Sequence, residues 1–299
     1  MTPPDGKMKT NATEREDEGD LQEFTVYLIR HGEASHNVEE KAAKERVKRE
    51  ILAEGLALDS EEAKRRIKAA QAKLLENPEY FDAPLSVLGF QEAEAAEQRM
   101  QMLIQDGHPP PTEVFVSPLQ RTLQTAAIIF QDHDNIRVRE ELRERLTGRP
   151  ADNRMCSEAI SRRQTFGRFS FRQLRKASQL NIASLAELAE FEETEDFDLD
   201  PMPDPAKLFV CASSFNAETQ VEDAKKLAER TKALLQLIGS SKHKHETFAV
   251  VTHKGYLREL ERNCFGNPDA TEFQNCEVRV YKLTVNTSSG ALESAKRIK

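Results

Sequence analysis

Two short runs constrain this chain most: Phe24-Thr-Val-Tyr-Leu-Ile29 and Thr247-Phe-Ala-Val-Val251. Each is almost continuously apolar and rich in β-branched side chains, the composition of a strand buried on both faces of a parallel sheet. Neither tapers into an ordinary turn. The first stops at Arg30-His31-Gly32 and the second at Thr252-His253-Lys254-Gly255. Each strand therefore ends in cationic or imidazole side chains at its carboxyl edge, where open α/β sheets bind ligands. Glu113-Val-Phe-Val116 reads as a third strand and runs into Ser117-Pro118. Pro118 suits the first turn of a helix over Leu119 to Phe130, which places Arg121 one turn in. Ile136-Arg-Val-Arg139 adds a strand that leads to Glu140-Glu-Leu-Arg-Glu144. Helices are expected from Ser86 through Gln105 and over Glu218 to Leu237. This alternation predicts an α/β fold of three layers, a mostly parallel sheet flanked by helices. Glu277 to Val285 alternates and is expected to be an edge strand.

The rest of the chain is arranged around that frame. Residues 1–22 read as a disordered acidic tail with little to bury, and 23–299 as one domain of ordinary size. A helical insert is expected at 39–77. It is rich in Ala, Lys, Arg and Glu, is broken at Asp59-Ser60, and ends near Asn77-Pro78. The plain reading is a solvated pair of amphipathic helices; a partner-binding hairpin is the alternative. Residues from about 145 to 215 lose clear period and are expected to form a cap or lid. A net charge of −8 argues against a nucleic-acid partner, so an anionic substrate needs a local basic pocket. Cys156, Cys211, Cys264 and Cys276 are widely spaced, which supports neither a zinc ribbon nor a disulfide scaffold. No metal-ligand spacing appears, and no metal or other cofactor is expected. Lacking an apolar leader or a membrane-length run, the chain reads as a cytoplasmic or nuclear protein without a membrane partner. No pattern specifies its oligomeric state.

Three strand ends thus supply Arg30 and His31, then Arg121, then His253. A phosphoryl group in transfer carries charge on its peripheral oxygens, and fixed donors hold and neutralise it. Arginine forks suit that task, a second histidine adds a donor, and the helix after Pro118 is expected to offer its positive N-terminus. Neutral imidazole is a competent nucleophile toward phosphorus if one ring nitrogen is free and the other is tied to a fixed acceptor. The backbone of the His31-Gly32 turn is a candidate for that acceptor.

At this point the motifs resemble a known family. Leu28-Ile-Arg-His-Gly32 is similar to the R-H-G signature of the histidine phosphatase superfamily, which has the phosphoglycerate-mutase-like fold. Asp82-Ala-Pro-Leu-Ser-Val-Leu-Gly89, Ser117-Pro-Leu-Gln-Arg-Thr-Leu-Gln-Thr-Ala126 and Val251-Thr-His-Lys-Gly-Tyr256 resemble further segments of that family, in the expected order. The resemblance implies a phosphohistidine on His31, with Arg30, Asn37, Arg121 and His253 holding the phosphoryl group. It also implies a glutamate general acid. Glu144 stands where the family places it, and Glu141 is the competitor. Gly148-Arg-Pro-Ala-Asp-Asn-Arg154 looks closer to a loop of a phosphatase-like eukaryotic subgroup than to the mutases. Arg154 is accordingly expected to bind substrate, and Arg149, Arg162 and Arg163 are candidates to line a polyanion pocket. His36 either orients Asn37, touches substrate or is a surface residue; His243 and His245 read as solvated. The implied activity is a metal-independent phosphomonoesterase acting on a small phosphorylated metabolite or a phosphoprotein. A phosphoglycerate-type mutase and a catalytically weak phospho-ligand-binding adaptor are the alternatives.

Overall fold

In a computed structural model of the chain, the described residues are 21–174, 222–239, 246–287 and 289–299. Their strands are β1 (Leu21–Arg30), β2 (Glu113–Val116), β3 (Ile136–Val138), β4 (Thr247–Thr252), β5 (Val278–Asn286) and β6 (Ala291–Arg297). They form one sheet in the order β3-β2-β4-β1-β5-β6. Pairing is parallel from β3 through β1 and antiparallel at β1–β5 and β5–β6. The sheet is therefore mixed but mostly parallel, as expected.

Successive side chains of a strand face opposite sides, and β1 uses both. Tyr27 and Ile29 pack with Ala93, Ala96 and Met100 of α3 (Val87–Gln105) and with Leu123 and Ala126 of α4 (Gln120–Ile129). Phe24, Val26 and Leu28 face the other way, onto Leu227, Leu234 and Ile238 of the helix Ala224–Gly239 and onto Tyr256 and Leu257 of the helix Lys254–Glu259. Helices on both faces explain why β1 and β4 read as unbroken apolar runs.

The insert is a hairpin of α1 (Ser35–Ala53) and α2 (Glu61–Leu75). Ser60 caps α2 by accepting from the Ala63 N–H at 3.2 Å, with Glu61 and Glu62 in the first turn. Of residues 145–215, where a cap is expected, the described part holds a 3₁₀ turn at Pro150–Asp152, α5 (Ser157–Ser161) and a 3₁₀ turn at Gln164–Phe166. The helices Ala224–Gly239 and Lys254–Glu259 are α6 and α7. Among the described residues, no helix is long and apolar enough to cross a membrane.

Two expectations need correction. β5 is an interior strand between β1 and β6, because the chain turns back after Gly290 and adds Ala291–Arg297 at the edge. β6 is largely exposed and polar, which hides it from a search for apolar alternation but suits an edge. Leu21 and Gln22 belong to β1, paired with Asn286 and Val285, and not to the tail. Residues 1–20, most of the expected cap from 175 to 215, Cys211, His243 and His245 lie outside the described residues.

Candidate active site

Strand register builds the site. Arg30 pairs with Thr252 across β1–β4, and Val116 pairs with Val251 across β2–β4. The three strands therefore end level, and the residues just beyond their ends meet. The rings of His31 and His253 lie 5.0 Å apart, edge to face. Both are buried, as is Arg121.

His31 Nδ1 lies 2.6 Å from the Gly32 carbonyl. A carbonyl only accepts, so the proton sits on Nδ1 and Nε2 keeps its lone pair. Arg121 Nε reaches that Nε2 at 3.3 Å, while Nη1 donates to the Ala151 carbonyl at 2.7 Å and Nη2 stands 3.6 Å from Asp152 Oδ1. Burial, then the charges of Arg121 and Arg30, push the His31 pKa well below its usual value. His253 is pushed down by burial, then by Arg121. Its Nε2 lies 2.7 Å from Ser117 Oγ.

Buried polar atoms without a hydrogen-bond partner are few in a native fold, yet three gather here: Arg30 Nε, His36 Nδ1 and His253 Nδ1. Arg30 is anchored at its other end, Nη1 donating to the Phe273 carbonyl at 2.8 Å. His36 is buried beside Arg121, which, after desolvation, helps push its pKa down to about 3. Its Nε2 lies 3.0 Å from Nδ2 of Asn37, and Asn37 Oδ1 accepts the Ala34 N–H at 3.2 Å. Of the readings open for His36, the structure brings out contact with Asn37.

The motif glycines permit close approach. A Cβ on Gly32 would lie 2.5 Å from the Gly89 carbonyl oxygen, and one on Gly89 would lie 2.1 Å from that of Glu33. The N-terminus of α3 thus packs backbone to backbone on the His31 loop. Thr125 joins the same assembly, accepting the Gly32 N–H at 3.2 Å and donating to the Arg121 carbonyl at 2.8 Å.

Glu144 reaches the site from the loop after β3. Its Oε1 accepts the Arg145 N–H at 2.9 Å and its Oε2 the Gly255 N–H at 3.4 Å, two residues beyond His253. Burial, then the neighbouring Asp152, raise its pKa. Its competitor Glu141 is fully buried and committed elsewhere, to Arg139 at 2.7 Å and Gln173 at 3.0 Å. Arg154 donates from Nε to Glu140 Oε2 at 2.7 Å and from Nη1 to the Met155 carbonyl at 3.0 Å. Arg163 binds Gln120, and Arg149 is exposed.

A carboxylate of the protein itself stands at the expected helix N-terminus. Oδ1 of buried Asp82 accepts the Gln120 N–H at 2.7 Å and so occupies the start of α4, while Oδ2 accepts the Met155 N–H at 2.9 Å. Asp82 adopts φ +45° to do so, a left-handed conformation that Asp tolerates better than most residues. In sequence Asp82 stands out only as part of a motif. The sole local hint of its role is an acid followed by Pro before a helix. No group of three or more His, Cys, Asp or Glu among the described residues could hold a metal ion.

No curated protein matches the chain. Among solved structures, the phosphoserine phosphatase of Entamoeba histolytica in complex with 3-phosphoglyceric acid is 15% identical, over 86% of this chain and 90% of that one, with a TM-score of 0.41. Mycobacterial glucosyl-3-phosphoglycerate phosphatase is 15% identical over 93% and 98%, with a TM-score of 0.45. The phosphoglycerate mutase of Bacillus anthracis is 15% identical over 95% of each chain, also with a TM-score of 0.45. A family model matches the stretch that runs from before Asp82 to beyond Glu144 and includes Arg121, while His31 and His253 flank it. The resemblance read from the motifs is therefore borne out by this match: residues 79–190 match the model of the histidine phosphatase superfamily, branch 1.

Proposed function

We propose that the chain hydrolyses phosphate monoesters through a phosphohistidine on His31. The observation that carries this reading is the cluster of buried polar atoms lacking partners around an imidazole whose Nε2 lone pair is free of its own proton. A buried donor left unpaired costs about 1–3 kcal/mol, and a bound oxyanion would give Arg30 Nε and His36 Nδ1 an acceptor, and His253 Nδ1 too in the tautomer that carries its proton there. His31 Nε2 attacks phosphorus, the P–O bond to the leaving alkoxide breaks, and Glu144 gives that oxygen its proton. Water, losing a proton to the same glutamate, then opens the phosphoramidate and regenerates His31. Arg30, Arg121 and His253 hold the peripheral oxygens, and Asn37 adds Nδ2 beside them. Arg154 falls outside this set, because it is held by Glu140.

Support for Glu144 over Glu141 is that its carboxylate accepts only backbone N–H groups and lies against the His253 loop, whereas Glu141 is neutralised by Arg139. Glu144→Gln is expected to lower kcat/KM, which reads transfer to His31, on the order of 10²-fold or more for an alkyl phosphate, and far less for p-nitrophenyl phosphate, whose leaving group needs little protonation. Equal losses on both sink the assignment.

The first experiment is phosphate release by wild type and His31→Ala across small phosphorylated metabolites, phosphoserine and phosphoglycerates among them, with EDTA present. Release that disappears in the variant supports His31-dependent hydrolysis. Phosphate exchange that requires a bisphosphate primer, without net release, would instead mark a mutase. Phospho-ligand binding without turnover, unchanged in the variant, would mark an adaptor.

A further inference from the structure

We infer that Arg230, locked to Glu222, is a positioning residue that sets where Glu144 meets the leaving group. This rests on the proposed role of Glu144 as general acid.

No motif contains Arg230. It lies on α6, buried, with every guanidinium nitrogen engaged. Nε and Nη2 form a fork on Glu222, at 2.9 Å to Oε1 and 2.6 Å to Oε2. Nη1 donates to the carbonyls of Glu141 at 2.7 Å and Arg143 at 2.6 Å, and Nη2 also donates to that of Glu144 at 3.2 Å. Residues 143–149 form neither helix nor strand, so their buried backbone groups need partners from elsewhere. Arg230 supplies them up to Glu144. Glu222 supplies them just after it, accepting the Leu146 N–H at 3.2 Å on Oε2 and donating its own N–H to the Leu146 carbonyl at 2.8 Å. The backbone of the acid is thus gripped on both sides by one ion pair. The guanidinium also lies 5.4 Å from the ring centre of Tyr256, one residue beyond the Gly255 whose N–H reaches the Glu144 carboxylate. The same clamp therefore braces the acid loop against the helix after His253.

Burying an ion pair is a poor route to stability, since apolar replacements are often neutral or better. Placement accounts for this one. A displacement of about 1 Å at a reacting group costs on the order of 10²-fold in rate.

The test compares full-length wild type, Arg230→Lys, Glu222→Gln, Glu144→Gln and the double variant Arg230→Lys/Glu144→Gln. For each, kcat and KM are measured on an alkyl phosphate and on p-nitrophenyl phosphate, together with the melting temperature. The expected result for Arg230→Lys and Glu222→Gln is an alkyl-ester kcat/KM lower by roughly 10- to 10²-fold. For p-nitrophenyl phosphate kcat/KM should stay within about threefold, since transfer from that leaving group to His31 does not need the proton donor, whereas kcat on either ester also includes the water step that Glu144 assists. In the double variant, Arg230→Lys should add nothing on the alkyl ester to the loss already caused by Glu144→Gln, because the two act as one unit. If Arg230→Lys does not fold, Glu222→Gln, which keeps the shape and one acceptor oxygen, decides alone. Leaving-group dependence in Glu144→Gln but in neither clamp variant overturns this inference and spares the acid assignment. A full additional loss in the double variant overturns it as well. No leaving-group dependence in Glu144→Gln overturns both.

Discussion

Gly255 and Gly89 are both crowded, yet substituting them should have opposite consequences. A Cβ on Gly255 would lie 2.4 Å from Oε1 of Glu144, the far end of a flexible side chain that is able to swing aside. Gly255→Ala is therefore expected to leave the melting temperature nearly unchanged and to lower kcat/KM for alkyl esters far more than for p-nitrophenyl phosphate, because the displaced group is the proposed proton donor. A Cβ on Gly89 would lie 2.1 Å from the Glu33 carbonyl oxygen, and backbone has no such freedom. Gly89→Ala should cost about 1–3 kcal/mol of stability by overpacking, read as a lower denaturant midpoint. A Gly89→Ala protein as stable as wild type would show that the contact between the His31 loop and α3 is looser than these distances imply.

At the level of elements, α4 carries Arg121 into the site, and its aim is set at its first turn. Asp82 holds that turn through the Gln120 N–H and holds the cap segment through the Met155 N–H. Removing the carboxylate leaves the buried Gln120 N–H unpaired, at about 1–3 kcal/mol, strips the part-buried Met155 N–H of its acceptor, and frees the helix start. Asp82→Ala should therefore both destabilise the protein and lower kcat, whereas Asp82→Asn, which keeps one acceptor, should lose less of each. Arg121→Ala should cost on the order of 10²-fold in kcat, the usual loss for a preorganised donor to transition-state charge. A change within threefold would remove it from the site.

Over the whole molecule, the buried histidines set a pH response. His31, His36 and His253 are all held neutral, by burial first and then, in each case, by Arg121. Below about pH 6.5 the unfolded chain takes up protons that the folded one refuses, so stability falls as pH falls. Each such group contributes a slope of up to about 1.4 kcal/mol per pH unit. The raised carboxyls of Glu144 and Asp82 act with the opposite sign, losing stability as pH rises from the ordinary carboxyl range through their own higher values. Three histidines against two acids predict a melting temperature that drops from pH 7 to pH 5.5. His36→Gln should flatten that slope by about one proton; an unchanged slope would show that His36 titrates normally in the folded state.

What the sequence determined by itself is local: which runs are buried strands, where each one stops, and which charged groups stand at those stops. Apolar continuity, Pro118 and the capping Ser60 act over a few residues, so β2 falls on the expected Glu113–Val116 and α2 begins after Ser60. Parallel pairing then brings Arg30, His31, Arg121 and His253 together, since strands that end in register present their terminal side chains and loops at one edge. The tertiary structure alone decided the rest. Asp82 caps a helix start 38 residues away, and Arg230 grips a carbonyl 86 residues away. Neither residue type identifies its partner, because an acid or an arginine looks the same in sequence whether it meets water or a buried backbone. Glu141 and Arg154 differ from Glu144 in the same way: the fold pairs Glu141 with Arg139 and Arg154 with Glu140, while Glu144 accepts only backbone N–H groups.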